Sequence, residues 1–448
     1  MRKGGFFMKK RMLTSLLCIG MVAALAACGT DMQPIEGTNA GDDPERNVLP
    51  VAPIGTDIGE EEMSGEKEIT AEEMAQLKNG MNGFAFRLYD ALPGDGNRFY
   101  SPYSLCSALA MLNVGADGET KKEIEETLGI TDFEEWNKEM QAYLSKNWTD
   151  DTFVTTANSL WMTKDGIWAE NMEQDFATPV KRYYKGEVYE ADFASQPESV
   201  VKEINGWTSK KTEGMIEKIV SDIPENTVLM LLNAVYFEGK WELPFDKDDT
   251  YEGTFHGKDA DSTADMMRMY GERFRYMDNG SIKGISIPYE GGSVQMKIFL
   301  PSDENAYIGD LLKNLSAEEK QELLDSLDNG SYEDIARLEM PKFTDEEELE
   351  GLDGILQDMG IRSAYTEGAD FSKIADNVAL STVIHKAKVI VDEQGTKAAA
   401  VTGAVVEMEA LVEPEPEITF IADRPFFYVI EDADTGMILF MGQMNNMK

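Results

Sequence analysis

"VIHKAKVIVDEQGTKAAAVT", residues 383–402, changes character halfway along. Up to Val391 apolar and polar side chains alternate with a period of two, the pattern of a strand with one buried face. Beyond Gly395 the alternation stops. From Gly395 to Val406 the only charged side chain is Lys397, and the rest are small or β-branched, in a chain that is 28% charged. Taken alone, such a stretch is either an edge strand or an Ala-rich loop. As a strand it has two faces: Thr396, Ala398, Ala400, Thr402, Ala404 and Val406 on one, and Lys397, Ala399, Val401, Gly403, Val405 and Glu407 on the other. The first face carries no charge, so packing it inward buries none, whereas a Lys or Glu there would cost several kcal/mol unless paired. No proline interrupts 395–413, so every N–H there is free to join a ladder, and Pro414 and Pro416 end that freedom.

The 448 residues are 42% hydrophobic and 9% aromatic, enough for a large core. Forty-one basic residues against 83 acidic ones give a net charge of −42. A surface of that sign repels phosphate backbones and anionic headgroups, which excludes nucleic acid as a partner.

Arg2, Lys3, Lys9, Lys10 and Arg11 precede an apolar run, Met12 to Ala24, too short to span a bilayer comfortably. This is a secretory signal. Leu25-Ala26-Ala27-Cys28 is similar to a bacterial lipobox, which makes 1–27 the signal peptide and Cys28 an acylated first residue; an ordinary cleaved signal is the other reading. Residues 28–68, rich in Gly, Pro, Asp, Glu and Thr, read as a flexible acidic tether. The expected location is therefore extracellular, lipid-anchored at the bacterial cell surface, with no other membrane contact. Folded structure is expected from about Ile69, where Thr70 and Glu73 form a capping-box pattern, and 69–448 reads as one domain. Cys106 is then the only cysteine in the folded part, set in an apolar helical pattern as a buried small hydrophobe.

Helical periodicity appears at 72–91, 102–115, 119–128, 134–146, 170–185, 198–213 and 348–360. Strand patterns appear at 153–163, 227–238, 283–300, 335–343, 384–393, 418–421 and 426–442. Helices gather early and strands late, which predicts an α+β fold with mainly antiparallel sheets. There is no Walker loop, nucleophile elbow, HExxH or Cys/His metal pattern. No cofactor or metal is called for. Of the two histidines, His256 falls in a predicted turn and His385 in the alternating strand, where a hydrogen-bonded core role is simpler than a catalytic one.

Four ordered blocks carry a resemblance: "RFYSPYSLCSALAMLNVGADGETKKEI" at 98–124, "LLNAVYFEGKWELPFD" at 231–246, "VIHKAKVIVDEQGTKAAAVT" at 383–402 and "ADRPFFYVIEDADTGMILFMGQM" at 422–444. Together they resemble the signature blocks of the serpins, with weaker matches such as "LEMPKF" at 338–343 between them. The resemblance implies an α+β domain of three β-sheets with surrounding helices and an exposed reactive-centre loop. It implies an inhibitor and not an enzyme: a serine protease cleaves the loop, the loop inserts into the main sheet, and the acyl-enzyme is trapped as a covalent complex. A non-inhibitory serpin serving as a surface binding or scaffold module is the alternative.

Site residues follow from the same resemblance. Glu393, Gly395, Thr396, Ala398, Ala400 and Thr402 correspond to the hinge of the loop. Ser101, Ser104, Asn233 and His385 correspond to the polar "shutter" beneath the opening sheet, and Trp241 with Glu393 to the "breach" where the loop enters. Family spacing puts the cut about fourteen residues past Gly395, about 46 Å of strand, which gives Glu409-Ala410 with Met408 and Leu411 as neighbouring alternatives, because "EPEPE" at 413–417 lengthens the loop. An acidic residue there disfavours trypsin-like pockets, and the flanking small apolar residues favour elastase-like or subtilisin-like targets. Glu-specific proteases are the alternative, papain-like cysteine proteases a side activity, and the molecule is expected to act as a monomer.

Overall fold

The computed structural model describes residues 51–54, 69–146, 152–396 and 417–447. The signal sequence, Cys28 and the loop residues Ala398, Ala400, Thr402, Met408, Glu409, Ala410 and Leu411 lie outside them. The strands are β1 (Val51–Ile54), β2 (Arg98–Tyr100), β3 (Thr152–Thr163), β4 (Glu187–Ala191), β5 (Leu229–Lys240), β6 (Tyr251–His256), β7 (Asp261–Met269), β8 (Glu272–Asp278), β9 (Ile282–Pro288), β10 (Val294–Pro301), β11 (Tyr332–Pro341), β12 (Phe343–Glu348), β13 (Leu380–Asp392), β14 (Gly395–Thr396), β15 (Ile418–Ile421), β16 (Phe426–Asp432) and β17 (Met437–Met444).

Seven strands make the main sheet in the order β1-β4-β3-β5-β14-β13-β12. The second hydrogen-bonded network runs β2-β17-β16-β10-β9-β8-β11-β7-β6, with β15 beside β11. It divides at β11, whose first residues, Tyr332–Ile335, pair with β8 and whose last, Leu338–Pro341, pair with β7. The mixed α+β class expected from the sequence is what the chain adopts.

Helix Pro102–Val114 is buried along its whole length, which is why its sequence is apolar all round instead of striped. Ser101 caps it, accepting from the Ser104 N–H, and Pro102 sits at the first position, where a missing N–H costs nothing. The helix lies in the main core, and Cys106 within it is fully buried, its thiol pushed far up by desolvation. A smaller cluster on the other face of the main sheet seats helix Pro197–Lys211, with Val200 and Ile204 against Trp161, Leu232 and Ala234.

Several boundaries differ from the sequence expectation. The single strand expected at 283–300 is the hairpin β9–β10, and that at 426–442 is the hairpin β16–β17. Both strands of each pair are nearly all buried and read as one apolar run, although the turn signals Gly291-Gly292 and Asp434-Thr435-Gly436 stand between them. Helices Ile308–Lys313 and Ala317–Asp328 were not anticipated, although Ser316 and Glu319 form a full capping box before the second. His256 ends strand β6 and does not sit in a turn; it is exposed and pairs with Asp261 at 3.1 Å. Part of the segment read as tether is also paired: β1 lies antiparallel to β4, and its Pro53, with Pro50 just before it in the sequence, masks any strand pattern.

Candidate functional site

The centre of the main sheet is where its two halves meet. β5 and β13 are parallel and directly bonded from Leu229 opposite Leu380 to Tyr236 opposite Lys388. Above that the strands part, and the two residues of β14 fill the space: Thr396 stands opposite Val391 on one side and Gly239 on the other. The sheet is thus closed along most of the seam and opened by one short strand at its upper end.

Gly395 makes the entry. Its φ is 143°, and a Cβ there would lie 2.2 Å from the Gly239 carbonyl oxygen and 2.6 Å from the Lys240 Cα. Both the conformation and the backbone approach require glycine. Thr396 is fully buried, its hydroxyl 2.9 Å from that of Tyr289. The Tyr289 ring stacks on Trp241 at 4.4 Å, and Trp241 Nε1 donates to the Asp392 carbonyl at 2.9 Å. Main-chain bonds from Trp241 N–H to Gln394 O and from Phe245 N–H to Glu393 O complete the collar. Glu393 is 4% exposed; it accepts from Thr250 Oγ1 at 3.0 Å and pairs with Lys342 at 3.1 Å. Burial pushes its carboxyl up, but its own backbone N–H, Lys342 and Thr250 outweigh that and hold it below the usual carboxylate value.

Lower on the seam, the four residues expected to cluster do so. His385 lies opposite Asn233 across the parallel ladder, and its Nδ1 is hydrogen-bonded to Asn233 Oδ1. The other ring nitrogen, Nε2, accepts from the Ser101 N–H at 3.1 Å, so the proton of the neutral ring sits on Nδ1. Asn233 Nδ2 donates to Ser104 Oγ at 2.6 Å and to the Ser104 carbonyl at 3.1 Å, and Ser101 Oγ donates to Leu439 O at 2.6 Å. All four residues are fully buried. Desolvation lowers the His385 pKa from 6.5 to about 3, so the ring is neutral at any physiological pH.

The sequence left out part of this network. Asn158 on β3, facing Asn233, accepts from it and passes the chain on to Ser107 Oγ at 3.2 Å. A polar residue inside the buried run "ANSLWM" was the available signal. Tyr289, Lys342 and Thr250 carried no signal, because each reaches the entry point from a distant segment. The arrangement holds no nucleophile beside a base: the imidazole is consumed by backbone and amide partners. Chemically it can exchange hydrogen bonds when the seam parts, and the collar above it can admit a strand.

Residues 79–447 match the family described as Serpin (serine protease inhibitor). A serpin-like protein of Thermococcus kodakarensis is 36% identical over 83% of this chain and 85% of its own. Leukocyte elastase inhibitor A of Mus musculus is 32% identical over 83% of this chain and 99% of its own. Among solved structures, the thermophilic serpin tengpin in its native state superposes with a TM-score of 0.74 at 30% identity, covering 85% of this chain and 96% of that one.

Proposed function

The chain belongs to the serpin family, and from that premise we propose that it is a suicide inhibitor of serine proteases, displayed at a bacterial cell surface through a lipid on Cys28. The target's serine attacks the carbonyl of Glu409, or of a neighbour from Met408 to Leu411; the peptide bond to the next residue breaks, its nitrogen leaves as the protonated amine of the C-terminal peptide, and an ester ties the loop to the protease. The released strand then lengthens β14 downward between β5 and β13. Deacylation stalls because the attached protease is dragged off its own geometry; about 1 Å of misplacement in a catalytic centre costs on the order of a hundredfold.

The observation that supports this best is the state of the seam. β14 is antiparallel to both neighbours and already occupies the top of the seam, while from Tyr236–Lys388 downward the seam is still closed by β5–β13 pairing. Hydrogen bonds contribute about 1 kcal/mol each and backbone ordering costs about 1–2 kcal/mol per residue, so the two nearly cancel and apolar burial decides the direction. Ala398, Ala400, Ala404 and Val406 supply it on the face that continues Thr396. Small apolar residues around the cut favour elastase-like or subtilisin-like targets, with Glu-specific proteases second.

The test is to incubate the mature protein with an elastase-type and a subtilisin-type protease and resolve the products under denaturing conditions. A denaturant-resistant complex, with a C-terminal peptide beginning near Ala410, is expected. Cleavage without any complex, and with no gain in heat stability, would assign the chain to non-inhibitory serpins instead.

A further inference from the structure

The main sheet has two edges, and they are protected differently. At one end β12 carries Glu346, Glu347 and Glu348, of which Glu346 bridges Lys386 and Lys388 on β13 and Glu348 is exposed, a charged edge of the kind that keeps natural sheets from pairing with one another. At the other end β4 has no such device. Its two carboxylates are turned to partners inside the molecule: Glu187 accepts from Trp207 Nε1, the Tyr189 hydroxyl and Lys211, and Glu190 accepts from Trp168 Nε1 at 3.1 Å. Its remaining residues are Val188, Tyr189 and Ala191. Uncovered, β4 would present a row of free backbone groups on an apolar footing.

That edge is covered by β1. Val51 to Ile54 run antiparallel to it, with Val51 opposite Ala191 and Ile54 opposite Val188. Ile54 packs on the main core beside the 3% exposed Val188, so the strand is held by a side chain as well as by its ladder. The strand is four residues long and carries an exposed Pro53, which makes it a poor template for any further strand.

We propose that the outer edge of β4 is a peptide-accepting site for a short extended apolar segment, and that Val51–Ile54 is its resident occupant, an edge guard supplied by the chain itself. This is β-strand addition in cis: main-chain bonds give the affinity, and the footing at Val188 selects an apolar residue at the position of Ile54. Emptied, the site accepts the same segment in trans. The proposal stands apart from the inhibitory mechanism, since neither β4 nor β1 borders the β5–β13 seam.

The experiment compares three proteins: the mature chain, a chain beginning at residue 56, and the mature chain with Ile54→Asp. A fluorescent peptide of residues 49–56 is titrated into each, and amide exchange is followed at Glu187–Ala191. The shortened chain is expected to bind the peptide saturably and the mature chain at least tenfold more weakly, because its own segment competes; a peptide carrying the same Ile54→Asp change should not bind. Exchange at Glu187–Ala191 should quicken in Ile54→Asp and leave β12 unchanged. Equal peptide binding by the shortened and mature chains, or unchanged exchange in Ile54→Asp, overturns the proposal. The second readout decides the matter even if the shortened chain does not fold.

Discussion

His385 faces Asn233 across the seam between β5 and β13, one imidazole against one carboxamide, in the only pair of strands that must separate if a new strand is to enter. The contact ties the proton state of a buried ring to the closure of the sheet.

The first prediction is a pH dependence of stability. The folded ring has a pKa of about 3 against 6.5 in the unfolded chain, so below pH 6.5 the unfolded state binds the proton more readily. Its contribution is complete above pH 6.5 and is lost as pH falls towards 3, with a slope of up to about 1.4 kcal/mol per pH unit from this one group. His385→Asn removes the titrating group. Denaturant midpoints taken from pH 7 to pH 4.5 should therefore fall less steeply in the variant; parallel curves would mean that the ring does not titrate against folding.

The second prediction comes from register. Thr396 stands opposite Val391 and Gly239. Continuing the same antiparallel pairing by six residues brings Thr402 between His385 and Asn233, the pair its entry would separate. Its hydroxyl is then the one side-chain group of the incoming face able to bond the two polar residues it parts. Thr402→Val keeps the shape and removes the hydroxyl, leaving buried polar atoms without a partner at a cost of about 1–3 kcal/mol. The loop-cleaved form should melt earlier than cleaved wild type, while the uncleaved forms melt together; calorimetry of the four samples checks it.

Much of this was legible in the sequence for a physical reason. β13 alternates buried and half-buried side chains, so its core-facing positions, His385 among them, follow from a period of two, whereas β5 is buried on both faces and Asn233 was legible only through the resemblance. What stayed hidden depends on contacts between distant segments. Nothing local tells that Tyr289, after the end of β9, stacks on Trp241 and reaches Thr396. Nor does "VAPI" look like a strand, since its proline argues against one and only the vacant edge of β4 gives it a partner.

The third prediction concerns the entry point. Gly395→Ala forces a methyl to within 2.2 Å of the Gly239 oxygen at a φ of 143°, and no flexible side chain is there to yield. The substitution should expel β14 from the collar. Thr396 would lose Tyr289, and the Trp241–Tyr289 stack would open to water, so tryptophan emission should shift to the red relative to wild type without loss of helical signal. Unshifted emission would show that Thr396 does not hold the collar closed.

The fourth prediction separates trapping from simple cleavage. Thr396 is the first residue of the incoming face and is fully buried beside Val391 and Tyr289. Thr396→Arg would place a guanidinium in that buried space, where Glu393, an acid of the collar, is already paired with Lys342. Burying the unpaired charge costs several kcal/mol, enough to slow insertion relative to hydrolysis of the ester by orders of magnitude. The protease then completes its cycle, and the variant should be consumed as a substrate, with turnover in place of a stable complex. Gel analysis at increasing ratios of inhibitor to protease gives the partition directly. If Thr396→Arg still yields the covalent complex at wild-type stoichiometry, strand entry at β14 is not the step that traps the protease.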